Sequence, residues 1–394
     1  MSDPLQIALR HTSEVVPADE LSSKLAKDRP LRVKLGLDPT APAVTLGWAV
    51  VLRKLREFQE LGHTAVLIVG DFTAQVGDPS LKSAQRVRLT AEEVNGYAEN
   101  VLGQFGKVLM EENLEIRRNS EWLAGFDMYG LLELTSSATV AQMLERSDFA
   151  NRYEEGSPIS VMEFLYPLLQ GYDSVAVEAD IELGGSDQLW NLMMGRVVQE
   201  RFGQEPQVAM TMPLLLGTDG THKMSQSLGN YIGVTDPPSE MFGKTMSIPD
   251  DLMEQWFRLA ANLDDEVVED IHKRLDAGEL HPNEAKRHLA RSIVALYWGQ
   301  DAAREAESGF DQVFREGGVP DDIAEVVVPA GEVVQLPALL RDAFEISGSE
   351  ARRLIAQGAV RVDDVTISDE QVSRARLTGK VLRVGKRRFA RLID

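Results

Sequence analysis

The loop Gly217-Thr-Asp-Gly220-Thr221-His222-Lys223-Met224-Ser225-Gln226-Ser227 presents a lysine and hydroxyls between glycines. Such a loop can grip a polyphosphate while charge builds on a leaving group. Far ahead of it, Lys34-Leu-Gly36-Leu-Asp38-Pro39-Thr40-Ala-Pro42-Ala-Val-Thr45-Leu46-Gly47-Trp48 reads as a strand end, a turn and a helix start. A helix N-terminus offers free N–H groups and the positive end of its dipole to phosphates, and Gly47 lets the backbone approach closely. Between the two lie three further polar sets. Gly70 to Ser80 carries Asp78, able to pair with an ammonium, and Lys82, Arg86 and Arg88 beyond it suit phosphates. Tyr166, Gln170 and Asp173 recur at i, i+4 and i+7, so a helix projects them together toward a small zwitterion with a polar tail. Gly184-Gly185-Ser186-Asp187-Gln188 follows a strand, where glycines permit close approach and a carboxylate can accept from ribose hydroxyls. Each stretch alone also fits a plainer role: β-α punctuation, a solvated loop or an exposed polar helix face.

Elements must hold these groups together. Leu31 to Leu37 has strand character, broken by Asp38-Pro39 because proline lacks an N–H and disfavours helix before it. Val50, Val51, Leu55 and Phe58 form an apolar helical stripe that Gly62 ends, and Ala65 to Gly70 is a second strand. Strand-helix-strand predicts a right-handed crossover in a parallel sheet. A helix over 90–110 follows, with Thr90 and Glu93 as a capping box, then short strands at 114–118 and 176–183. Residues 122–155 read as an inserted helical segment. The apolar face of Thr139 to Arg146 fits either core or a subunit interface, and interface is favoured. Helical periods fill 249–316, a Gly/Pro-punctuated linker follows, and the tail is two short helices before a strand and turn.

With 394 residues, 43% of them hydrophobic, the chain has room for two to three domains with real cores. It has no cysteine, so disulfides and thiolate metal sites are excluded. No run is long enough to span a bilayer and the first 20 residues lack a signal peptide's apolar stretch, so a cytoplasmic protein without membrane partners is expected. A net charge of −21 argues against broad nucleic-acid binding, DNA included. The charge is uneven, however: from Arg341 onward there are 12 Lys and Arg against 8 Asp and Glu, which puts +4 there and −25 on the body.

Lys223-Met-Ser-Gln-Ser227 resembles the KMSKS signature of class I aminoacyl-tRNA synthetases, and Thr45-Leu-Gly-Trp48 occupies the place of their HIGH signature. With Gly-Leu-Asp-Pro-Thr, Gly-Asp-Pro-Ser, Tyr166 to Asp173 and Gly-Gly-Ser-Asp-Gln in order, the whole chain is similar to the bacterial tyrosyl-tRNA synthetases. The resemblance implies an α/β fold: a Rossmann-like doubly wound parallel sheet as catalytic domain over 1–240, with a dimerisation insert at about 120–160. It further implies a helical anticodon-contacting domain over 241–318, a linker over 319–335 and a small α+β RNA-binding module over 336–394. In that module Arg352, Arg353, Arg361, Lys386, Arg387 and Arg388 would meet tRNA phosphates.

By the same resemblance Asp78, Tyr166 and Gln170 hold the α-amino group of L-tyrosine, Asp173 accepts its phenol O–H and Gln188 orients its carboxylate. Gly36, Asp38 and Gly47 line the ATP cleft, Gly185 and Asp187 hold the ribose, and Met224 and Ser225 flank Lys223 on the nucleotide. Thr40, Thr45, Lys82, Arg86 and Lys223 act on the leaving pyrophosphate. Mg²⁺ rides on the phosphates without a dedicated protein site, and the partners are tRNA(Tyr) and a second copy of the chain. Four departures stand out: Thr45 and Trp48 replace both signature histidines, Lys34 stands where many members have a tyrosine, and Gln226 replaces the second signature lysine. They keep a second reading open, a weakened paralogue that binds RNA or tyrosine in a regulatory role.

Overall fold

The computed structural model describes residues 3–78, 90–314, 323–344, 346–363, 365–385 and 388–394. Lys82, Arg86, Arg88, Lys386 and Arg387 therefore lie outside the described residues. The chain forms two compact units, Met1–Gln300 and Asp301–Asp394.

The first unit is built on a sheet of β1 (Glu14–Val16), β2 (Arg32–Leu37), β3 (Thr64–Val69), β4 (Leu114–Arg118), β5 (Ile181–Gly185) and β6 (Val208–Met212). Their order is β1-β6-β5-β2-β3-β4, parallel except for β1, which pairs antiparallel with β6. The chain thus winds from β2 outward to β4, then returns to β5 on the other side of β2. That reversal opens a crevice at the carboxyl ends of β2 and β5, where open α/β sheets take their ligands. The central strands can be continuous apolar runs because helices cover both faces: Val66, Leu67 and Ile68 of β3 are buried.

Helices Leu46–Glu60, Ala91–Phe105, Val161–Ala176 and Leu189–Arg201 join successive strands. Capping fixes their starts: Thr45 accepts from Trp48 N–H, and reciprocal boxes join Thr90 to Glu93 and Ser160 to Glu163. Two expected boundaries move. The 91–105 helix ends at a Gly106 C-cap, short of 110. The helix carrying Tyr166, Gln170 and Asp173 runs to Ala176, so β5 starts at Ile181 instead of 176. Val175 and Ala176 continue the apolar helix face, and the chain turns at Glu178, whose φ is 50°.

Helices Pro238–Met246, Met253–Leu259, Asp265–Asp276 and Pro282–Trp298 belong to this same unit. Fully buried Trp256 donates to the carbonyl of Leu216 at 3.2 Å, while Gln255 bonds Leu214 O and Leu216 N, each at 3.2 Å. These bonds fasten the helical layer to the stretch leading into Lys223.

The second unit takes in the helix Gln300–Phe314 from Asp301 onward and contains β7 (Ala324–Val327), β8 (Val333–Gln335), β9 (Val360–Val362), β10 (Val365–Thr366), β11 (Gln371–Ser373), β12 (Val381–Val384) and β13 (Arg388–Ile393). Five form a sheet in the order β10-β9-β12-β13-β7, while β8 pairs with β11. Helices Leu336–Phe344 and Gly348–Ala356 pack on it around Leu336, Leu340, Ile355, Leu382 and Leu392. The stretch expected as a linker thus contains two strands: β7 runs parallel to β13 and β8 closes on β11, because the valines there find strand partners late in the chain. Among the described residues no helix is long and apolar enough to cross a membrane.

Candidate active site

The crevice at β2 and β5 is lined by a connected set of polar groups. Asp38, where β2 ends, accepts from Thr73 Oγ1 at 2.7 Å and from Tyr166 Oη at 3.0 Å. Asn119 Nδ2 donates both to Thr73 Oγ1, at 2.9 Å, and to Asp173 Oδ2, at 3.2 Å. Trp122 Nε1 donates to the other oxygen of Asp173 at 2.8 Å. Gly70 makes the approach of Asp38 and Thr73 possible, since a methyl group there would collide with the carboxylate and the hydroxyl.

Burial pushes the Asp38 carboxyl up to about 7 against its bond from Thr73, with the Asp78 charge adding to the rise. Burial likewise lifts Asp173 to about 6, opposed by the nearby Lys34 ammonium and then by the bonds from Trp122 and Asn119. Burial, then the charges of Asp38 and Asp78, raise the Tyr166 phenol well above its ordinary value. Enclosed carboxyls that resist ionising are stabilised by a cation placed among them. Across the crevice Gln188 Nε2 donates to Asp78 Oδ2 at 3.0 Å, and Asn191 Nδ2 donates to Gln188 Oε1 at 2.9 Å, fixing which end of that amide faces Asp78.

Beneath this layer Lys34 is fully buried on β2. Its ammonium donates to the Gln170 carbonyl at 2.9 Å, Ser174 Oγ at 2.8 Å and Glu182 Oε1 at 2.8 Å. Glu182 also accepts from Gln170 Nε2 at 3.2 Å, from Ser174 Oγ at 3.1 Å and from Gln207 Nε2. All three ammonium protons have acceptors, so Lys34 does not reach into the crevice.

The nucleotide end differs from expectation. The first N–H groups of the 46–60 helix are already partnered: Leu46 with Ile232 O at 2.8 Å, Gly47 with Met224 Sδ at 3.3 Å, and Trp48 with Thr45 Oγ1 at 3.3 Å. The free donor set read from the turn is absent, because buried Thr45 acts as the helix cap and a thioether covers Gly47. Sulfur is the weakest acceptor of the three and the easiest to displace. A side chain at Gly47 would crowd Met224 Cβ at 3.3 Å.

Lys223 donates to Asp187 Oδ2 at 2.7 Å, so the loop cation and the carboxylate expected on ribose are ion-paired. Gly185 precedes them with no room for a side chain, since a Cβ would stand 2.7 Å from Asp187 Oδ1. Gly36 is exposed with open space beside it, Thr40 N–H bonds the Asp38 carbonyl at 2.9 Å, and Ser225 Oγ lies 2.9 Å from Ser227 Oγ.

Residues that local spacing did not single out hold this loop. Buried Asn230 receives Ser225 N–H at 2.8 Å and donates to the Lys223 carbonyl at 3.2 Å. Gln226 clasps Ala43, accepting its N–H at 3.1 Å and donating to its carbonyl at 2.7 Å. From the opposite side Gln104 takes Val44 N–H and donates to Pro42 O, both at 2.8 Å. Two glutamines therefore saturate the backbone of the 42–44 turn.

In the second unit Arg352, Arg353, Arg361 and Arg388 are exposed; Arg352 lies 3.5 Å from Glu370 and Arg388 3.6 Å from Glu350. Arg361 of β9 stands directly opposite Arg383 of β12, a residue that sequence reading did not include. Like charges in register destabilise a sheet unless an anion meets them.

Residues 26–315 match the family model described as tRNA synthetases class I (W and Y). The chain is 51% identical to the tyrosine–tRNA ligase of Moorella thermoacetica, covering 98% of this chain and 95% of that one. It is 45% identical to the enzyme of the same name from Thermotoga maritima, with coverages of 99% and 97%. Among solved structures, a C-terminally truncated mitochondrial tyrosyl-tRNA synthetase of Aspergillus nidulans superposes with a TM-score of 0.66 at 20% identity, over 80% of this chain and 95% of that one. The tyrosyl-tRNA synthetase of Archaeoglobus fulgidus complexed with L-tyrosine gives 0.62 at 24% identity, over 77% and 98%.

Proposed function

The chain belongs to the class I tRNA synthetases of the tryptophan and tyrosine group and is a tyrosine–tRNA ligase, and on that premise we propose how its own residues divide the work. The reaction has two steps: the tyrosine carboxylate attacks the α-phosphorus of ATP and expels pyrophosphate, then a hydroxyl of the terminal tRNA ribose attacks the acyl carbon and expels AMP. Neither step needs a covalent enzyme intermediate, so catalysis rests on positioning and charge.

The single observation that carries the assignment of the amino-acid end is the chain Asp38–Thr73–Asn119–Asp173. It carries a carboxyl at each end, with Tyr166 bonded to Asp38 and Trp122 to Asp173. An α-ammonium placed among Asp78, Tyr166 and Gln170 relieves the electrostatic cost of that burial, while Asp173 faces the phenol. Asp38, expected in the ATP cleft, serves the ammonium end on this reading. Gln188, polarised through Asn191, orients the carboxylate.

At the nucleotide end, ribose hydroxyls take over Asp187 and release Lys223 to the phosphates, and a phosphate oxygen displaces Met224 from Gly47 N–H. Thr45 then serves by capping the helix that presents this N–H. Thr40, Lys82 and Arg86 keep the pyrophosphate role that the resemblance gives them. Mg²⁺ enters with the nucleotide, carried on its phosphates.

The second unit meets tRNA phosphates through Arg352, Arg353, Arg361 and Arg388, with Lys386 and Arg387 in the same role. The homodimer forms through the segment at about 120–160, where Met128, Tyr129, Leu132, Val140 and Tyr153 are each 58–82% exposed, and Val161 just beyond it is 78% exposed. The cytoplasm is the compartment in which these partners meet. Tyrosine-dependent exchange of pyrophosphate into ATP tests the assignment; loss of exchange in Asp38→Asn with intact folding is the expected result, and unchanged tyrosine KM in that variant overturns it.

A further inference from the structure

We propose that Lys34 is a specificity-determining positioning residue: paired with Glu182 beneath the 161–176 helix, it pins the 170–174 turn and holds Asp173 as the acceptor of the substrate's phenol O–H. The inference rests on the reading of Asp173 as the phenol acceptor.

Three observations support it. Lys34 and Glu182 sit on adjacent strands in register, side by side at the crevice floor, with side chains 0% and 1% exposed. A buried charge pair of this kind is seldom kept for stability alone, because well-packed apolar residues do as well. Second, apart from Gln207, which donates to Glu182, the pair's other partners are chosen from one helical turn. Lys34 takes the carbonyl of Gln170 and the hydroxyl of Ser174, and Glu182 takes the side chains of both. Asp173 lies between those two residues in the chain, so its backbone is fixed from below while Asn119 and Trp122 fix its carboxylate from the side. Third, Lys34 cannot contact the phenol, since its three protons are used. Its influence on Asp173 is therefore through space and through the helix.

The charged and titratable groups around Asp173 are Lys34 and Asp38 at β2, Glu182 on β5, Tyr166 on its own helix and Asp78 beyond the 73–76 turn; Asn119 and Trp122 are neutral donors. Lys34 favours the Asp173 anion and Glu182 opposes it. The two residues should thus act on phenol recognition with opposite signs, which a merely structural pair would not do.

The test is the ratio of kcat/KM for tyrosine to that for phenylalanine, measured by pyrophosphate exchange in the full chain from pH 5 to 8. The two amino acids share every ammonium and carboxylate contact, so Asp38, Asp78 and Tyr166 cancel in the ratio and the phenol acceptor remains. Lys34→Met is expected to move the acid-side fall of the ratio upward by about one pH unit, which lowers the ratio about tenfold at pH 5 and about twofold at pH 7. Glu182→Gln is expected to move that fall downward, and Lys34→Arg to retain most of the ratio. Lys34→Met/Glu182→Gln removes both charges, avoids a lone buried ion should Lys34→Met fold poorly, and is expected to lie between the single variants.

Shifts of the same sign in Lys34→Met and Glu182→Gln, or a ratio and profile unchanged in folded Lys34→Met or in the double variant, overturn the proposal. Asp173→Asn separates this from failure of the underlying reading. If its ratio equals that of the parent, Asp173 is not the phenol acceptor; if the ratio collapses there and Lys34→Met does not move it, only the role of Lys34 is lost.

Discussion

Replacing Gln226 by alanine removes both side-chain bonds to Ala43, at 2.7 and 3.1 Å, and nothing else that the loop uses. A neutral bond of this kind has a net worth of about 1 kcal/mol, so the clasp is worth about 2 kcal/mol. The clasp ties the Lys223 loop to the turn that opens the 46–60 helix, so it preorganises the two for nucleotide. Its loss must then be made good when ATP binds. An upper limit of roughly 30-fold loss in kcat/KM for ATP follows, at about 1.4 kcal/mol per factor of ten, with most of it in KM. Tyrosine affinity should not change, because none of Asp38, Asn119, Trp122 or Asp173 bonds to the clasp. Gln226→Lys should rescue less than half of the loss: a lysine can donate to Ala43 O but cannot accept from Ala43 N–H. The assay is pyrophosphate exchange with ATP varied at saturating tyrosine, alongside tyrosine affinity by calorimetry. A kcat/KM for ATP within twofold of the parent, or a parallel fall in tyrosine affinity, refutes the reasoning.

Lys223→Ala should slow adenylate formation severely with tyrosine affinity nearly unchanged, since the cation acts as charge develops on pyrophosphate; equal losses in single-turnover rate and tyrosine binding would contradict this. Removing Asp301–Asp394 should spare adenylate formation, weaken tRNA charging and flatten the salt dependence of tRNA binding, as filter binding at several salt concentrations will show. Asp38, with its carboxyl lifted to about 7, holds a proton that the incoming ammonium expels, so tyrosine affinity should fall as pH drops from 8 to 6 and calorimetry in two buffers should register proton release. By the same shift the unliganded fold binds more protons than the unfolded chain between about pH 4 and 7 at this site, so Asp38→Asn should flatten the decline of its stability as pH rises through that window, read from urea midpoints.

Much of the site was legible where one element carries it. Tyr166, Gln170 and Asp173 share a helix face, so period alone groups them, and Gly185 with Asp187 follows a strand end that any parallel sheet would turn toward its crevice. What local reading missed arrives from elsewhere in the chain. Asn119 and Trp122 reach Asp173 from 54 and 51 residues away, Gln104 reaches Val44 from 60, and a glutamine or an asparagine in isolation says nothing about which backbone it will close. Thr45 shows how one residue type serves two purposes: its oxygen caps the 46–60 helix by accepting Trp48 N–H, while its O–H is a separate donor that spacing alone does not assign. The stretch holding β7 and β8 reads as linker because their partners, β13 and β11, lie 66 and 36 to 40 residues further along, beyond any window of periodicity.

On the proposed assignment the two ends of the crevice hold their charge in opposite ways, and that difference accounts for the departures from the family signatures. At the amino-acid end the carboxyls are enclosed, so the pocket is preorganised for a cation and gains by receiving one. At the nucleotide end the donors are matched with partners that ATP can replace: a half-exposed aspartate for Lys223 and a thioether for Gly47 N–H. An exposed ion pair contributes little on its own, and a thioether is a poor acceptor, so exchanging both for ribose hydroxyls and phosphate oxygens costs little. Losing the signature histidines removes direct donors at this end, yet Thr45 preserves the helix start that aims Gly47, and Gln226 substitutes mechanical hold on the loop for a second cation. Positioning thus takes over work that charge performs in the usual motif, which places the burden on the clasp at Ala43 and the Asn230 anchor rather than on any single phosphate contact.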